Sequence, residues 1–216
     1  MTSRIRRIAV ATSLVFVAVL AGCGGSHSTS GSSPAPSQLK DQNGTGTYLG
    51  AGLDPAQPRP SFTLTDVAGK AFSFGEQTAG HPTLLFFGYT NCPDVCPTTM
   101  YDIGAALRSL PASLQKSVYV VFVSTDVKHD TGPVITKWIS NFSAGSSATF
   151  VGLRGTQAQI DAAQTASRIT VAEDGGQTHS AEVLLYGADD YARVSFLQST
   201  NEQQQIAHDL PLVAKA

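Results

Sequence analysis

The sequence predicts a single α/β domain, and three of its patterns support that fold class. Two unbroken apolar runs, at residues 83–87 and 118–123, have the composition of strands that are buried on both faces. Between them lies a helical pattern with apolar side chains three or four positions apart: Met100, Ile103, Leu107 and Leu110. The chain has 216 residues, of which 42% are hydrophobic, and this is enough for one complete core.

The first half of the domain follows from the same kind of pattern. Residues 62–65 and 72–74 alternate apolar and polar side chains around Gly69, which predicts a β-hairpin. The strand at residues 83–87 breaks at Gly88 and leads into a loop that contains two cysteines. Pro111 marks the end of the helix that follows this loop.

The second half contains shorter elements. Pro133 opens a helix predicted to end at residue 142, since proline is tolerated early in a helix. Residues 149–151 predict a short strand, and Thr156 is predicted to cap a helix that continues to residue 167. A hairpin at 181–186 and 191–197 and a helix at 201–210 close the chain. This order matches a thioredoxin-like α/β sandwich with a central mixed β-sheet, flanking helices and an N-terminal β-hairpin extension.

The first 22 residues resemble a bacterial lipoprotein signal peptide. Three arginines within the first seven residues precede an apolar run at residues 8–20, which is short for a membrane-spanning helix. Leu20-Ala21-Gly22-Cys23 resembles a lipobox, whose cysteine carries lipid such as palmitate and becomes the first residue of the mature protein. We therefore expect Cys23 to anchor the protein at the extracytoplasmic face of the cell membrane, with an ordinary signal peptide as the alternative.

The composition of residues 23–60, rich in serine, glycine, threonine, proline and glutamine, predicts a flexible tether before a domain at residues 61–216. The formal net charge of the chain is −2. Without Arg4, Arg6 and Arg7, the basic residues fall from 14 to 11 against 16 acidic residues, which gives −5. A mildly acidic domain without a basic cluster argues against nucleic acid as a partner.

The domain retains two cysteines, Cys92 and Cys96, once Cys23 is assigned to the lipid anchor. Outside the cytoplasm an unprotected thiol pair tends to be oxidised, and a loop this small gains little stability from a disulfide. The pair is therefore predicted to serve redox or metal chemistry. Pro97 places Cys96 near the N-terminus of the helix, where backbone N–H groups and the helix dipole are expected to favour the thiolate.

Copper is the metal that the available ligands favour. Iron–sulfur clusters require more cysteines and a structural zinc site requires four protein ligands, whereas copper(I) is satisfied by two or three soft ligands. The third ligand is expected to be a histidine. His81 lies at the far end of its strand and His208 lies on the last helix, so both are poor candidates. His179 and His129 both reach the sheet edge that carries the cysteines, and topology alone leaves the choice between them open.

The cysteine loop resembles a known family. Residues 87–97, FGYTNCPDVCP, are similar to the signature of the Sco/SenC proteins, and the resemblance extends over about residues 60–210. The resemblance implies a thioredoxin-fold copper chaperone that delivers copper to the copper-A site of cytochrome c oxidase. The implied partner is the apo copper-A subunit or another extracytoplasmic cuproenzyme. The implied copper ligands are Cys92, Cys96 and His179.

The segment after the second buried strand also resembles the family, with some departures. Asp126 corresponds to an acidic residue near the family's copper site and is implied to contact the site or the partner. The family usually has proline and arginine where this chain has Val127 and His129, and aspartate where this chain has Thr178. These departures leave His129 open as an alternative ligand.

Two other functions would use the same cysteines. A thiol–disulfide oxidoreductase could reduce the cysteines of an apo copper site with Cys92 and Cys96 as its redox pair, and His179 would then be dispensable. Against this function, Thr178 and His179 stand where thioredoxin-fold oxidoreductases usually keep a proline before a late strand. A peroxiredoxin-like peroxidase is the third alternative. The sequence therefore leaves open whether the protein is an enzyme.

Overall fold

The computed structural model describes residues 47–215. The predicted signal peptide, the lipidation of Cys23 and most of the predicted tether lie outside the described residues. Within residues 47–215, no helix combines the length and the apolar character needed to span a membrane.

The described residues form a mixed eight-stranded β-sheet. In chain order the strands are β1 Ala51–Pro58, β2 Thr63–Asp66, β3 Ala71–Ser73, β4 Thr83–Gly88, β5 Tyr119–Ser124, β6 Thr149–Arg154, β7 Glu182–Tyr186 and β8 Tyr191–Leu197. Across the sheet they lie in the order β1-β8-β7-β4-β5-β6-β2-β3. Strands β4, β5 and β6 are parallel, and the other neighbouring pairs are antiparallel, including the predicted hairpins β2–β3 and β7–β8. The predicted fold class is confirmed.

Helices flank this sheet. In chain order they are α1 Phe74–Gln77, α2 Val95–Ser109, α3 Ala112–Gln115, α4 Gly132–Ser143, α5 Gln157–Ala166 and α6 Glu202–Val213. The start of α5 confirms the predicted cap, because the Thr156 side chain accepts from the N–H of Gln159 and the Gln159 side chain accepts from the N–H of Thr156. A short 3-10 turn, Asp174–Gly176, precedes β7.

Strand β4 is buried on both faces, as its composition predicts. One face packs against α2, α4 and α6 in a core that includes Leu84, Phe86, Ile103, Ile135 and Ile206. The other face packs against α1 and α5 in a core that includes Leu85, Phe87, Phe74 and Ile160. Because alternate side chains of β4 enter opposite cores, both cores fix the end of the strand and the start of the cysteine loop.

Strand β1 differs from the sequence prediction. The composition predicts a tether at residues 23–60, but residues 51–58 are instead paired antiparallel with β8, for example with Ala51 opposite Ser195. The sequence of β1, AGLDPAQP, has no apolar alternation and contains two prolines. Its extended conformation therefore depends on pairing with a partner strand far away in the sequence, which local patterns do not reveal.

Candidate metal site

Cys92 and Cys96 lie between β4 and α2, at the edge of the sheet where the parallel strands end. Strand β4 ends at Gly88 and α2 begins at Val95, so Cys92 lies in the connecting loop and Cys96 lies in the first helical turn. Both are free thiols. The N–H of Cys96 donates to Sγ of Cys92 at 3.4 Å, so the helix start supports the loop thiol.

His179 reaches the same edge from β7. This strand pairs antiparallel with β4, with Val183 opposite Phe86, so the segment before β7 lies beside the end of β4. The Nε2 atom of His179 lies 3.1 Å from Sγ of Cys96. The ligand atoms of Cys92, Cys96 and His179 all lie within 4.8 Å of one another. Within residues 47–215, this is the one cluster of three or more such side chains that could hold a metal ion.

The ring of His179 is oriented with Nε2 available to a metal. Its Nδ1 lies 2.8 Å from the carbonyl oxygen of Ser180, and because a carbonyl only accepts, Nδ1 carries the proton. The rings of Tyr89 and Phe86 pack edge-on against the imidazole, with centroid distances of 5.6 and 6.2 Å. Burial lowers the pKa of His179, and the hydrogen bond to Ser180 offsets this only in part. The neutral imidazole, which metal binding requires, is therefore favoured.

The two thiols have opposite tendencies to ionise. Partial burial works against ionisation of Cys92, but the N–H groups of Cys96 and Asp94 donate to its sulfur and lower its pKa. Cys96 is fully buried, and burial raises its pKa far above the usual range, while the N–H of Tyr89 offsets only part of this effect. The prediction that the helix N-terminus favours the thiolate at Cys96 is therefore wrong, and the thiolate is favoured at Cys92.

Gly88 allows Cys96 to approach the sheet closely. A Cβ atom at this position would lie 2.9 Å from Sγ of Cys96 and 3.2 and 3.3 Å from ring atoms of Phe86 and Phe122. A larger residue would displace the thiol or the rings that support it. The break in the apolar run at this glycine therefore has a steric reason.

Asp130 fixes the start of the cysteine loop. Its buried carboxylate accepts a hydrogen bond from the N–H of Thr90 at 2.9 Å and another from the hydroxyl of Ser124 at 2.6 Å. These bonds join the loop after β4 to the loop after β5. The sequence patterns assign no role to Asp130, although an acidic residue in the loop after a buried strand was the available signal.

Thr125 and Gly176 dock the turn that precedes His179. The hydroxyl of Thr125 donates to the carbonyl oxygen of Gly176 at 2.6 Å. Gly176 has a φ of +95°, and a Cβ atom there would lie 1.9 Å from the carbonyl oxygen of Thr125, so only glycine fits. Neither residue was predicted to support the site, and the Gly175-Gly176 pair in a polar turn was the signal that could have identified them.

Asp126 and His129 form a pair beside the ligand cluster. Nδ1 of His129 lies 2.8 Å from Oδ2 of Asp126. Burial alone would raise the pKa of Asp126, but hydrogen bonds from the side chain and the N–H of His129 outweigh it and lower that pKa. Of the two histidines that topology left open, His179 joins the cysteines and His129 lies outside the cluster. His81 and His208 also lie outside it, as predicted.

A surface pocket with a volume of about 680 Å³ opens beside Cys92. Residues 89–93 line it together with Asp126, His129 and Gln177. Cys92 is the member of the ligand cluster that lines this pocket, whereas Cys96 and His179 do not. A metal ion or a partner group that approaches through the pocket therefore meets Cys92 before the other two members of the cluster.

Two sulfur atoms and one imidazole nitrogen are donors suited to a soft metal ion. Copper(I) accepts such a set, whereas a structural zinc site would need a fourth protein ligand, which this cluster does not contain. The two free thiols, whose sulfur atoms lie within 4.8 Å of each other, can also form a disulfide, so the same atoms are capable of redox chemistry.

The fold and the site together define a thioredoxin-like α/β protein with two cysteines and one histidine at the edge where its parallel strands end. The SCO1/SenC family model matches residues 51–215, which is most of the chain. The chain therefore belongs to the SCO1/SenC family, and the resemblance found in its cysteine loop is confirmed.

Individual relatives agree with this membership. SenC from Rhodobacter capsulatus is 39% identical over 119 residues, which cover 55% of this chain and 51% of SenC. The structure of ScoI from Bradyrhizobium japonicum with copper bound is 32% identical, with a TM-score of 0.59, over 72% of this chain and 99% of that chain. Apo Sco1 from Thermus thermophilus is 26% identical, with a TM-score of 0.65, over 77% of this chain and 96% of that chain. The matches span only 45% to 66% of the length of three of the curated relatives.

Proposed function

We propose that this protein is a copper chaperone that binds copper through Cys92, Cys96 and His179. The observation that carries the proposal is the convergence of the three ligand atoms within 4.8 Å. Nδ1 of His179 donates a hydrogen bond to the carbonyl oxygen of Ser180, so Nε2 is the nitrogen that can bind the metal. The copper bound in the structure of Bradyrhizobium japonicum ScoI supports the choice of metal.

Copper is the cargo of this site. Three ligands leave copper(I) with room for a further ligand, so a recipient protein can bind the ion before the chaperone releases it. Cys92 lines the pocket, and we expect it to be the first ligand that a recipient replaces. Such a ligand exchange changes no oxidation state, and the released thiolates regain protons from solvent.

The proposed recipient is the apo copper-A subunit of cytochrome c oxidase or another extracytoplasmic cuproenzyme. Membership of the family supports this recipient, because BsSco, a structurally similar protein, is a member of the Sco family of cytochrome c oxidase assembly proteins. The proposed location is the extracytoplasmic face of the cell membrane, with lipid on Cys23. A shift of the protein from the membrane to the soluble fraction in Cys23→Ser would support the anchor, and an unchanged distribution would contradict it.

The test of copper binding is a titration of the reduced chain with copper(I) against a coloured chelator. Cys92→Ala, Cys96→Ala and His179→Ala should each weaken binding by more than about 100-fold, since loss of a residue that only orients a ligand already costs roughly 10- to 100-fold. His208→Ala is the control, because this histidine lies on α6, outside the ligand cluster. Parental affinity in either cysteine variant would refute the proposal.

A thiol–disulfide oxidoreductase is the second candidate function. It is favoured by the difference between the thiols, since a half-buried thiol with a lowered pKa beside a buried one suits an attacking and a resolving cysteine. The Cys92 thiolate would attack a disulfide of the recipient and form a mixed disulfide. Cys96 would then attack Sγ of Cys92, release the recipient thiol and leave a Cys92–Cys96 disulfide, which a dithiol reductant must reduce again.

The two functions differ in their need for His179. Reduction of a recipient disulfide should survive His179→Ala, whereas copper(I) binding should not. Assays of both activities on the same variant separate the functions. Loss of disulfide reduction together with copper binding in this variant would count against the oxidoreductase.

A further inference from the structure

The pocket beside Cys92 contains a histidine that the three-ligand site does not use. His129 lines this pocket, and its side chain is 60% exposed. Cys92 lines the same pocket, so a small ion inside it has access to both side chains. Because Cys96 and His179 are not among the lining residues, an ion that reaches the cluster through this pocket passes Cys92.

The imidazole of His129 is held in the orientation of a metal ligand. Its Nδ1 lies 2.8 and 3.0 Å from the two carboxylate oxygens of Asp126. An ionised carboxylate only accepts hydrogen bonds, so Nδ1 carries a proton, and in the neutral imidazole Nε2 is then the nitrogen with the lone pair. A histidine that binds a metal usually donates its other ring N–H to such a carboxylate, which fixes the tautomer and raises the basicity of the ligand.

Asp126 is itself rigidly placed. Its side chain is only 6% exposed, and it accepts further hydrogen bonds from the N–H groups of Lys128 at 3.2 Å and His129 at 3.0 Å. The loop after β5 therefore presents an exposed imidazole on a buried support. This arrangement differs from a flexible surface histidine, whose ring would have to be ordered each time a metal bound.

We propose that His129 is an auxiliary copper ligand that takes copper from a donor complex in the pocket and passes it to Cys92. The lone pair of Nε2 forms a bond to copper as a ligand of the donor leaves. The Cu–Nε2 bond then breaks when Sγ of Cys92 replaces it, and a proton still on that thiol goes to solvent. The ion keeps its oxidation state throughout. This inference rests on the proposed function, since it concerns copper on its way to or from the same cluster.

A transient ligand has a distinctive kinetic effect. Because His129 does not bind copper in the final complex, its loss should slow uptake and release by the same factor and leave the dissociation constant unchanged. In stopped-flow transfer from a coloured copper(I) chelator to the reduced full chain, we expect His129→Ala to slow uptake at least about tenfold, the low end of the cost of disturbing a metal-site residue. Asp126→Asn should slow it less, because the imidazole remains but its support is weakened.

His208 provides the matched control. Its Nδ1 lies 2.7 Å from Oδ1 of Asp209, and its side chain is 47% exposed, so it repeats the pairing of His129 at a site on α6. His208→Ala should take up copper at the parental rate. An unchanged uptake rate in His129→Ala overturns the inference, and a weaker equilibrium affinity overturns the transient role. If the parent itself binds no copper, the proposed function has failed, which is a distinguishable result.

A direct measurement of the auxiliary site uses the full chain with Cys23→Ser, Cys92→Ser and Cys96→Ser, which removes all three competing thiols. Copper(I) is diamagnetic, so NMR of chains with ¹⁵N-labelled histidine can follow each ring nitrogen during a titration with the metal. We expect the Nε2 resonance of His129 to shift while that of His208 does not. Absence of a shift at His129, or equal shifts at both histidines, would overturn the inference.

Discussion

Three residues separate Cys92 and Cys96, yet their sulfur atoms lie in different surroundings. The half-buried Cys92 receives backbone hydrogen bonds that lower its pKa, whereas burial raises the pKa of Cys96. Burial also lowers the pKa of His179, so its imidazole is neutral near pH 7. A metal bound to all three must therefore displace a whole proton from Cys96, a fraction of one from Cys92 and none from His179.

We expect copper(I) binding to release between about one and two protons per ion at pH 7. The share from Cys92 shrinks as the pH rises through its lowered pKa, so the release should fall towards one at alkaline pH and rise towards two as the pH falls. A further proton should come from His179 once the pH falls through the lowered pKa of that histidine. The apparent affinity should increase with pH, because protons compete with the metal. A pH indicator in weakly buffered solution measures the release. Fewer than about one proton at pH 7 would show that Cys96 is not a ligand.

At the scale of elements, the turn Asp174–Gly176 decides where His179 lies. Both Gly175 and Gly176 have positive φ, so alanine at either position carries a backbone cost of about 1–2 kcal/mol. An added side chain would clash only at Gly176, because a Cβ atom on Gly175 would meet nothing within 4 Å. A comparison of alanine variants at the two positions therefore separates the effect of backbone strain from the effect of displacing the turn.

Gly176→Ala should weaken copper(I) binding by about 10- to 100-fold, because the clash with the carbonyl of Thr125 displaces the turn that positions His179. Gly175→Ala should lose a similar amount of backbone stability but keep the parental affinity. Chelator competition measures the affinity and urea unfolding measures the stability of both variants. Equal affinities in the two variants would show that the docked turn does not position the ligand.

The interface between α2 and α6 contains a buried carboxyl group. Glu202, the first residue of α6, is fully buried, and the hydroxyl of Thr99 on α2 donates to its Oε2 at 3.3 Å. Its Oε1 has no hydrogen-bond partner among the described residues. Burial raises the pKa of Glu202 to about 7, and the charge of Asp102 on α2 adds to this effect. The folded protein therefore favours the protonated form.

This carboxyl group should make stability depend on pH. Below about pH 4.5 Glu202 is protonated in both the folded and the unfolded chain, and it exerts no penalty. Between pH 4.5 and about 7, Glu202 is ionised in the unfolded chain but still protonated in the folded chain. The free energy of unfolding therefore falls as the pH rises through this range, by at most about 3 kcal/mol. Urea unfolding should show that Glu202→Gln flattens this decline. Glu76→Gln, at an exposed position of α1, is the control and should leave the decline unchanged. If the free energy of unfolding fell equally with pH in Glu202→Gln and in the parent, Glu202 would not be its cause.

Across the whole molecule, sequence patterns predict the features that local residues determine. The apolar runs of β4 and β5 and the cap at Thr156 are local, and their predictions are confirmed. Local patterns could not separate His179 from His129, because both lie at strand ends on the same edge. Only the positions of the side chains separate them, since Nε2 of His179 lies 3.1 Å from Sγ of Cys96 and His129 lies outside the cluster. Strand β1 and the ionisation of Cys96 depend on distant residues, so the sequence alone did not reveal them.

The end of the sheet opposite the cysteine loop is held by a buried arginine. Arg59, directly after β1, has a side chain only 3% exposed, and it donates to Oδ1 of Asp190 at 2.8 Å and to Oγ1 of Thr78 at 2.8 Å. It also donates to the carbonyl oxygens of His81 and Gly187, each at 2.9 Å. His81 precedes β4 and Gly187 follows β7, so this guanidinium joins the strands that carry the ligands, but at their far ends.

Arg59→Lys should therefore reduce stability without changing the metal site. An ammonium group cannot reproduce the planar set of donors, and the acceptors left unpaired should lower the free energy of unfolding by about 3 kcal/mol. The affinity for copper(I) should stay at the parental value. Arg193→Lys is the matched control, because its pair with Asp189 is partly exposed, with side chains 28% and 31% accessible, and should cost less than about 1 kcal/mol. Urea unfolding measures the stability of both variants, and chelator competition measures their affinity for copper(I). A loss of copper(I) affinity in Arg59→Lys would contradict the prediction and show that the two ends of the sheet are coupled.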